Sequence, residues 1–335
     1  MTGPRIGVVL ASSPEGPSGR SPVREAARHA EDLGLDSVWV GDHLTTGRPV
    51  LESTITLATA AAVTDRVAVG LSVFVPAMRP LVWAAKQLAT LQVVSGGRLI
   101  VGVGSGGPGP DDWEAAGVPA AERGRRTDLA LERLPGLLAG EPTRLGPAPD
   151  APVVTLAPAV PRPPIWVGGM SGRAIRRAAA HGDAWFPSLI GPETVTAGAA
   201  RLHELAEAAG RPAPTVAVGA TSALGPAADA ASVARSLVGA YGLDPDMATA
   251  IPLTGSPARA AERALAYAEA GANHLVVGAS GPDWRSEYEQ LAEVRRLLGA
   301  HAARNEPDPT REPGRQAGEP TGGTATGAPP DAAER

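Results

Sequence analysis

Hydrophobic and polar positions along the chain alternate between two periods. Short apolar runs, most of them rich in β-branched residues, recur at Arg5–Ala11, Ser37–Val40, Val67–Phe74, Arg98–Val103, Ile165–Val167, Ala184–Phe186, Thr215–Ala220 and His274–Val277. Runs of this length and make-up predict strands buried on both faces. The stretches between them carry apolar residues at helical spacing. In Arg79–Val94 these are Leu81, Ala84, Ala85, Leu88 and Leu91. Ser95-Gly96-Gly97 then ends the helix, because glycine accepts the left-handed turn that a helix end needs. Further helices are predicted over Pro22–Leu33, Leu51–Val63, Ala121–Leu138, Ser171–Ala180, Glu193–Ala209, Asp229–Tyr241, Ser256–Ala270 and Trp284–Leu298, with a short one over Asp111–Gly117. Gly140–Pro164, dense in proline and glycine, reads as a long loop.

Strands alternating with helices imply an α/β fold with a parallel sheet. Eight such units in one domain imply a closed (β/α)8 TIM barrel. The helix over Asp229–Tyr241 is then an insertion between strands seven and eight. The barrel domain is expected to occupy residues 1–303. From Arg304 to Arg335 the chain has no Val, Ile, Leu, Met, Phe, Trp or Tyr. Such a segment cannot bury enough apolar surface to offset its ordering entropy, so residues 304–335 are expected to form a disordered tail.

Composition narrows the function classes. With 335 residues, 43% of them hydrophobic, the chain has material for one large core. A net charge of −5 gives no bulk attraction to nucleic acid or an anionic membrane. No apolar run reaches the ~20 residues of a membrane span. The N-terminus lacks the apolar region of a secretory signal, and cysteine is absent, so a cytoplasmic protein is expected. The absence of cysteine also removes disulfides, thiolate metal sites and cysteine nucleophiles. The histidines show no HxH or HExxH spacing, so no metal site is expected.

Candidate chemistry lies just past the strands, where barrels place their ligands. Asp42-His43 follows the second strand. Histidine there can serve as acid, base or hydrogen-bond donor, while the alternative is a loop aspartate that caps a helix or turn. Gly168-Gly169-Met170-Ser171 follows the fifth strand. Its glycines would let a ligand approach the backbone and its helix N-terminus would attract a phosphate; otherwise it is an ordinary turn with a serine cap. Gly104-Ser105-Gly106-Gly107 follows the fourth strand. It is no dinucleotide fingerprint, since the spacing is wrong and Pro108 and Pro110 come at once.

Five segments together resemble the luciferase-like monooxygenase superfamily of flavin- and deazaflavin-dependent oxidoreductases. They are AEDLGLDSVWVGDHL, RVAVGLSVFVPAMRPLVWAAKQLATLQVVSGGRLIVGVGSG, ERGRRTDLALE, PRPPIWVGGMSGRAIRRAAAHGDAWFP and TGSPARAAERALAYAEAGANHLVV. They occur in the family's order, and the resemblance covers nearly all of Arg5 to Leu298. It implies a flavin at the C-terminal ends of the strands. Ser72-Val73 falls where the family often has a non-proline cis peptide behind the isoalloxazine ring. Asp42 and His43 match the pair beside the ring, Ser105 and Gly106 the loop near the ring and ribityl chain, and Gly168, Gly169 and Met170 the phosphate-binding backbone.

Gly107 stands where some deazaflavin-dependent sugar-phosphate dehydrogenases carry an acidic glutamate, which argues against that activity. The reactive cysteine of some bioluminescent relatives is missing, as is the long insertion of many two-component FMN monooxygenases. The compact form resembles the coenzyme F420-dependent branch. The resemblance therefore implies hydride transfer between C5 of F420 and a small substrate, assisted by His43. An FMN-dependent monooxygenase fed by a partner reductase is the second expectation, and a flavin-binding barrel without turnover the third. A flavin or F420 reductase is an expected partner. A homodimer is the default assembly.

Overall fold

A computed structural model describes residues 3–14, 19–45, 49–107, 109–225, 228–281 and 283–304. Eight parallel strands close into a barrel: β1 (Arg5–Val9), β2 (Ser37–Val40), β3 (Ala68–Phe74), β4 (Leu99–Val103), β5 (Ile165–Gly168), β6 (Ala184–Phe186), β7 (Thr215–Leu224) and β8 (Ala272–Ala279). Each pairs with its neighbours in sequence, and the ring shuts where β1 meets β8 at Arg5↔His274. The helices outside are α1 (Val23–Asp32), α2 (Ser53–Ala61), α3 (Leu81–Val94), α4 (Pro110–Ala115), α5 (Arg123–Leu138), α6 (Gly172–His181), α7 (Pro192–Ala208), α8 (Ala230–Tyr241), α9 (Pro245–Ala250), α10 (Pro257–Glu269) and α11 (Trp284–Arg304). No helix among the described residues is long and apolar enough to cross a membrane.

Several elements differ from the sequence expectation for physical reasons. Arg79, expected in a helix, is extended at φ −127°, ψ 157° after a 3-10 turn over Pro76–Met78. Pro80 forces this, because the residue before a proline is pushed out of the helical region. Strand β7 runs on to Leu224, and the insertion after it holds α8, α9 and a further strand, Leu253–Gly255, paired to Ser222–Leu224. A six-residue helix and a three-residue strand are too short to display a period. The expected loop over 140–164 contains a small antiparallel pairing of Thr143–Arg144 with Val153–Val154. Helix α11 continues to Arg304, and the rest of the expected tail, 305–335, lies outside the described residues.

Alternation along each strand sorts the core into two layers. Val38, Val40, Ile165 and Val167 face the helices and belong to the main core, while Trp39 and Trp166 point into the barrel. There Trp39 lies 4.9 Å from Trp166 and 5.5 Å from Phe186, centroid to centroid, forming an aromatic plug. Space for it comes from Gly70, where a Cβ would stand 2.2 Å from Trp39 Cε3. Below the plug, Trp39 Nε1 donates to Ser37 Oγ at 2.6 Å, and Ser37 Oγ meets His274 Nε2 at 2.8 Å.

Burial lowers the His274 pKa from 6.5 to about 4, so its imidazole is neutral in the folded barrel at pH 7. The unfolded chain then binds the extra proton between those two values. Stability is expected to fall as pH drops through this window, by about 3 kcal/mol in all from this group. Urea unfolding at pH 7, 6, 5 and 4 reads that slope. His274→Gln should flatten it, and an equal slope in the variant would assign the acid sensitivity elsewhere.

Candidate active site

Above the plug, the C-terminal ends of the strands enclose a cavity of about 650 Å3, a size usual for small-molecule sites. Val9, Val73, Phe186 and Val276 belong to both plug and cavity, so the plug is the cavity floor. Ser72, Val73, Gly168 and Gly169, all expected at a cofactor site, line it together. The Ser72–Val73 peptide is cis.

Three glycines, Gly102 of β4, Gly104 just past it and Gly168 of β5, make the socket for Val73. A Cβ at Gly104 would stand 2.3 Å from Val73 Cγ2; one at Gly168 or Gly102 would stand 2.9 or 3.1 Å from Cγ1. The glycines that the sequence suggests for ligand approach thus serve first to seat a side chain. Gly106, at φ +71°, turns towards Trp113, with a built Cβ 2.6 Å from Cζ2. Trp113 Nε1 and Arg123 Nη1 both donate to the Gly107 carbonyl and hold this loop.

Asp42 is buried, and its oxygens are engaged by the protein. Arg79 grips both, at 2.7 Å each; Ser53 Oγ donates to Oδ1 and the Val75 amide to Oδ2, each at 2.8 Å. From sequence, Arg79 stands only at the start of a predicted helix. Its guanidinium instead joins the ends of β2 and β3 to α2, and lies 4.5 Å from the Phe74 ring centroid. Asp42 therefore acts as a clamp on the rim; the cap of α2 is Glu52, and the 3-10 turn over Pro76–Met78 has no side-chain cap. His43 is exposed at the same rim. A Cβ on Gly41 would meet its ring at 3.5 Å and the Ser72 carbonyl at 3.8 Å, which places the ring near the Ser72–Val73 peptide but outside the cavity lining.

Beside the cavity lies a second cleft of about 810 Å3 between the starts of α5 and α6. Ser105, Arg123, Arg125, Arg173 and Arg177 line it, with Asp128 as its carboxylate. Asp128 is taken by Arg177 Nε at 2.5 Å, and Arg125 pairs with Glu122 at 3.1 Å. Arg173 has no ion pair among the described residues. Cavity and cleft adjoin along the β5 loop, where Gly168 and Gly169 line one and Ser171 the other. Ser171 Oγ caps α6 by accepting the Ala174 amide at 3.2 Å. Met170, expected in the phosphate site, is 58% exposed and lines neither space.

The arginine cleft was missed from sequence, though a signal existed. The first turns of α5 and α6 contain no acidic residue and carry arginines instead. Cations oppose the helix dipole at that end, so placing them there makes sense when an anion is to be held. No group of three or more His, Cys, Asp or Glu among the described residues is arranged to hold a metal ion.

The fold has close likenesses among solved structures. An F420-dependent secondary alcohol dehydrogenase, solved with an F420–acetone adduct, superposes with a TM-score of 0.75 over 89% of this chain and 99% of that one, at 21% identity. The oxygenating constituent of 3,6-diketocamphane monooxygenase from Pseudomonas putida, solved with FMN, superposes at 0.69 over 88% and 98%, at 17% identity. In sequence, an uncharacterised protein of Mycobacterium tuberculosis is 36% identical over 170 residues, 50% of this chain and 58% of that protein. The chain thus spans little more than half the length of the first curated relatives it matches. The family model described as luciferase-like monooxygenase matches residues 5–274, and with the barrel and its cavity this establishes that the chain belongs to that family.

Proposed function

We propose that the protein is a coenzyme F420-dependent oxidoreductase that binds the deazaflavin ring in the cavity against Val73 and its anionic side chain in the arginine cleft. The observation that carries this reading is the adjacency of an uncharged cavity to a cleft with four arginines. F420 joins a tricyclic aromatic ring to a chain bearing a phosphodiester and several carboxylates, so most of its charge lies on the chain, as the arginines lie in the cleft. Bound there, the deazaflavin supplies a hydride donor or acceptor at C5. The protein's part is to position the ring, exclude water and place His43 at the rim as hydrogen-bond donor or proton shuttle.

Titration of the purified protein with F420, FMN and reduced FMN tests this. Micromolar or tighter F420 binding is expected, weakened by 0.5 M salt because arginines hold the anionic chain. Tight FMN binding without F420 binding would reverse the assignment in favour of a monooxygenase served by a reductase. With F420 bound, His43→Ala should lower kcat about 100-fold and leave the cofactor affinity unchanged. An unchanged rate would remove His43 from the reaction.

Adjacent helices α2 and α3 each expose a large apolar side chain near their first turns, Ile55 and Trp83, which a second copy would cover. Trp83→Asp is expected to leave a monomer in sedimentation runs where the parent protein is a dimer. A reductase is the expected source of reduced cofactor. The absence of cysteine fits a cytoplasmic enzyme.

A further inference from the structure

The roof of the cavity is the insertion after β7. Helix α8 lies over the barrel mouth because Val233 and Leu237 pack on Ala223 and Ala248. Asp229 caps its first turn, accepting the Ser232 amide at 3.0 Å. That packing sets Ser232 and Ser236, one helical turn apart and both solvent-exposed, along the rim of the cavity lining, with Tyr241 at the far end of the helix. Neither serine hydroxyl has a hydrogen-bond partner among the described residues. In the same lining, Thr221 Oγ1 and Ser280 Oγ lie 2.7 Å apart and link β7 to the end of β8.

No Lys, Arg, His, Asp or Glu is among the described residues lining this cavity. Its walls are apolar groups, glycine backbone and hydroxyls. A phosphate or carboxylate drawn from water into such a space would lose its hydration without a counter-charge, which is costly. An alcohol or ketone would lose little, because hydroxyls replace its water partners. The arginines stand in the neighbouring cleft, so the two spaces separate charge from neutrality.

We propose that α8 is the substrate-recognition element and selects a small uncharged molecule bearing a hydroxyl or carbonyl, held by Ser232 and Ser236. This rests on the reading of the cavity as the place of chemistry. It argues against a sugar phosphate as substrate on a feature independent of Gly107, namely the uncharged character of the roof.

The test uses one carbon skeleton with different charges: cyclohexanol and cyclohexanone against cyclohexanecarboxylate and cyclohexyl phosphate. Ligand-observed NMR on the full chain, with and without F420, reads affinity without turnover. The neutral pair is expected to bind at least tenfold tighter than the charged pair. Ser232→Ala/Ser236→Ala should weaken the neutral pair about tenfold, as loss of two hydrogen bonds implies, while F420 affinity and melting temperature stay unchanged. Ser236→Arg should raise affinity for cyclohexyl phosphate at least tenfold. Equal binding of charged and neutral probes, no binding of the neutral pair, or variants that leave every affinity unchanged would overturn the proposal. Failure of F420 to bind the parent protein would overturn the cofactor reading instead, since the ranking of probes is still read on the cofactor-free chain.

Discussion

Replacing Gly104 with alanine is expected to weaken cofactor binding by tenfold to a hundredfold while leaving the barrel folded. The added methyl would stand 2.3 Å from Val73 Cγ2, far inside contact distance. Val73 cannot retreat, because the backbone of Gly102 and Gly168 already closes the other sides of its socket. It must move towards the cavity, where we propose that the ring lies. Overpacking of this kind costs about 1–3 kcal/mol, which here is charged mainly to binding and corresponds to the stated loss. Fluorescence titration with F420 measures the affinity, and a melting curve separates it from unfolding. An unchanged affinity with a normal melting temperature would mean that Val73 does not back the cofactor. Gly107→Ala is the internal control, because nothing lies within 4 Å of a Cβ there.

The second large effect is on stability. Arg79→Ala is expected to cost about 3–5 kcal/mol, the usual result of removing one partner from a buried ion pair. The side chain of Asp42 is 5% exposed and that of Arg79 20%, so solvent screens the pair little. The lost guanidinium also abandons the Phe74 ring. Against a typical total of about 5–15 kcal/mol, the variant would be marginally folded. Arg79→Lys should recover only part of the loss, since an ammonium cannot span both carboxylate oxygens. Adding Asp42→Asn to Arg79→Ala should recover a further part, because no charge is then left without its partner. Urea unfolding of the three variants measures these differences. A loss below about 1 kcal/mol for Arg79→Ala would class the pair with surface ion pairs.

The scaffold and its rim were legible because their signals are local. The eight barrel strands appear in the sequence as apolar runs, and Ser37–Val40 and Ala184–Phe186 match to the residue. The rim segments follow from knowing where each strand ends. The roles of individual rim residues were less legible. Asp42 was expected beside a cofactor, yet whether a carboxylate meets a ligand or an arginine depends on what lies across from it, and Arg79 is 37 residues away. Gly104 and Gly168 were legible as glycines, but the reason for them is a valine on another strand.

What the sequence determined by itself was the alternation of strand and helix, hence a closed parallel barrel, its family and the segments at its mouth. These follow from period and order along the chain, which hydrophobic burial reads directly. The tertiary structure alone decided which side chains share a wall. It put Arg123 and Arg125 of α5 beside Arg173 and Arg177 of α6, and left the adjoining cavity to hydroxyls and apolar groups. Charge pairing, sockets and clefts are relations between residues far apart in sequence, and they come into being only when the barrel closes.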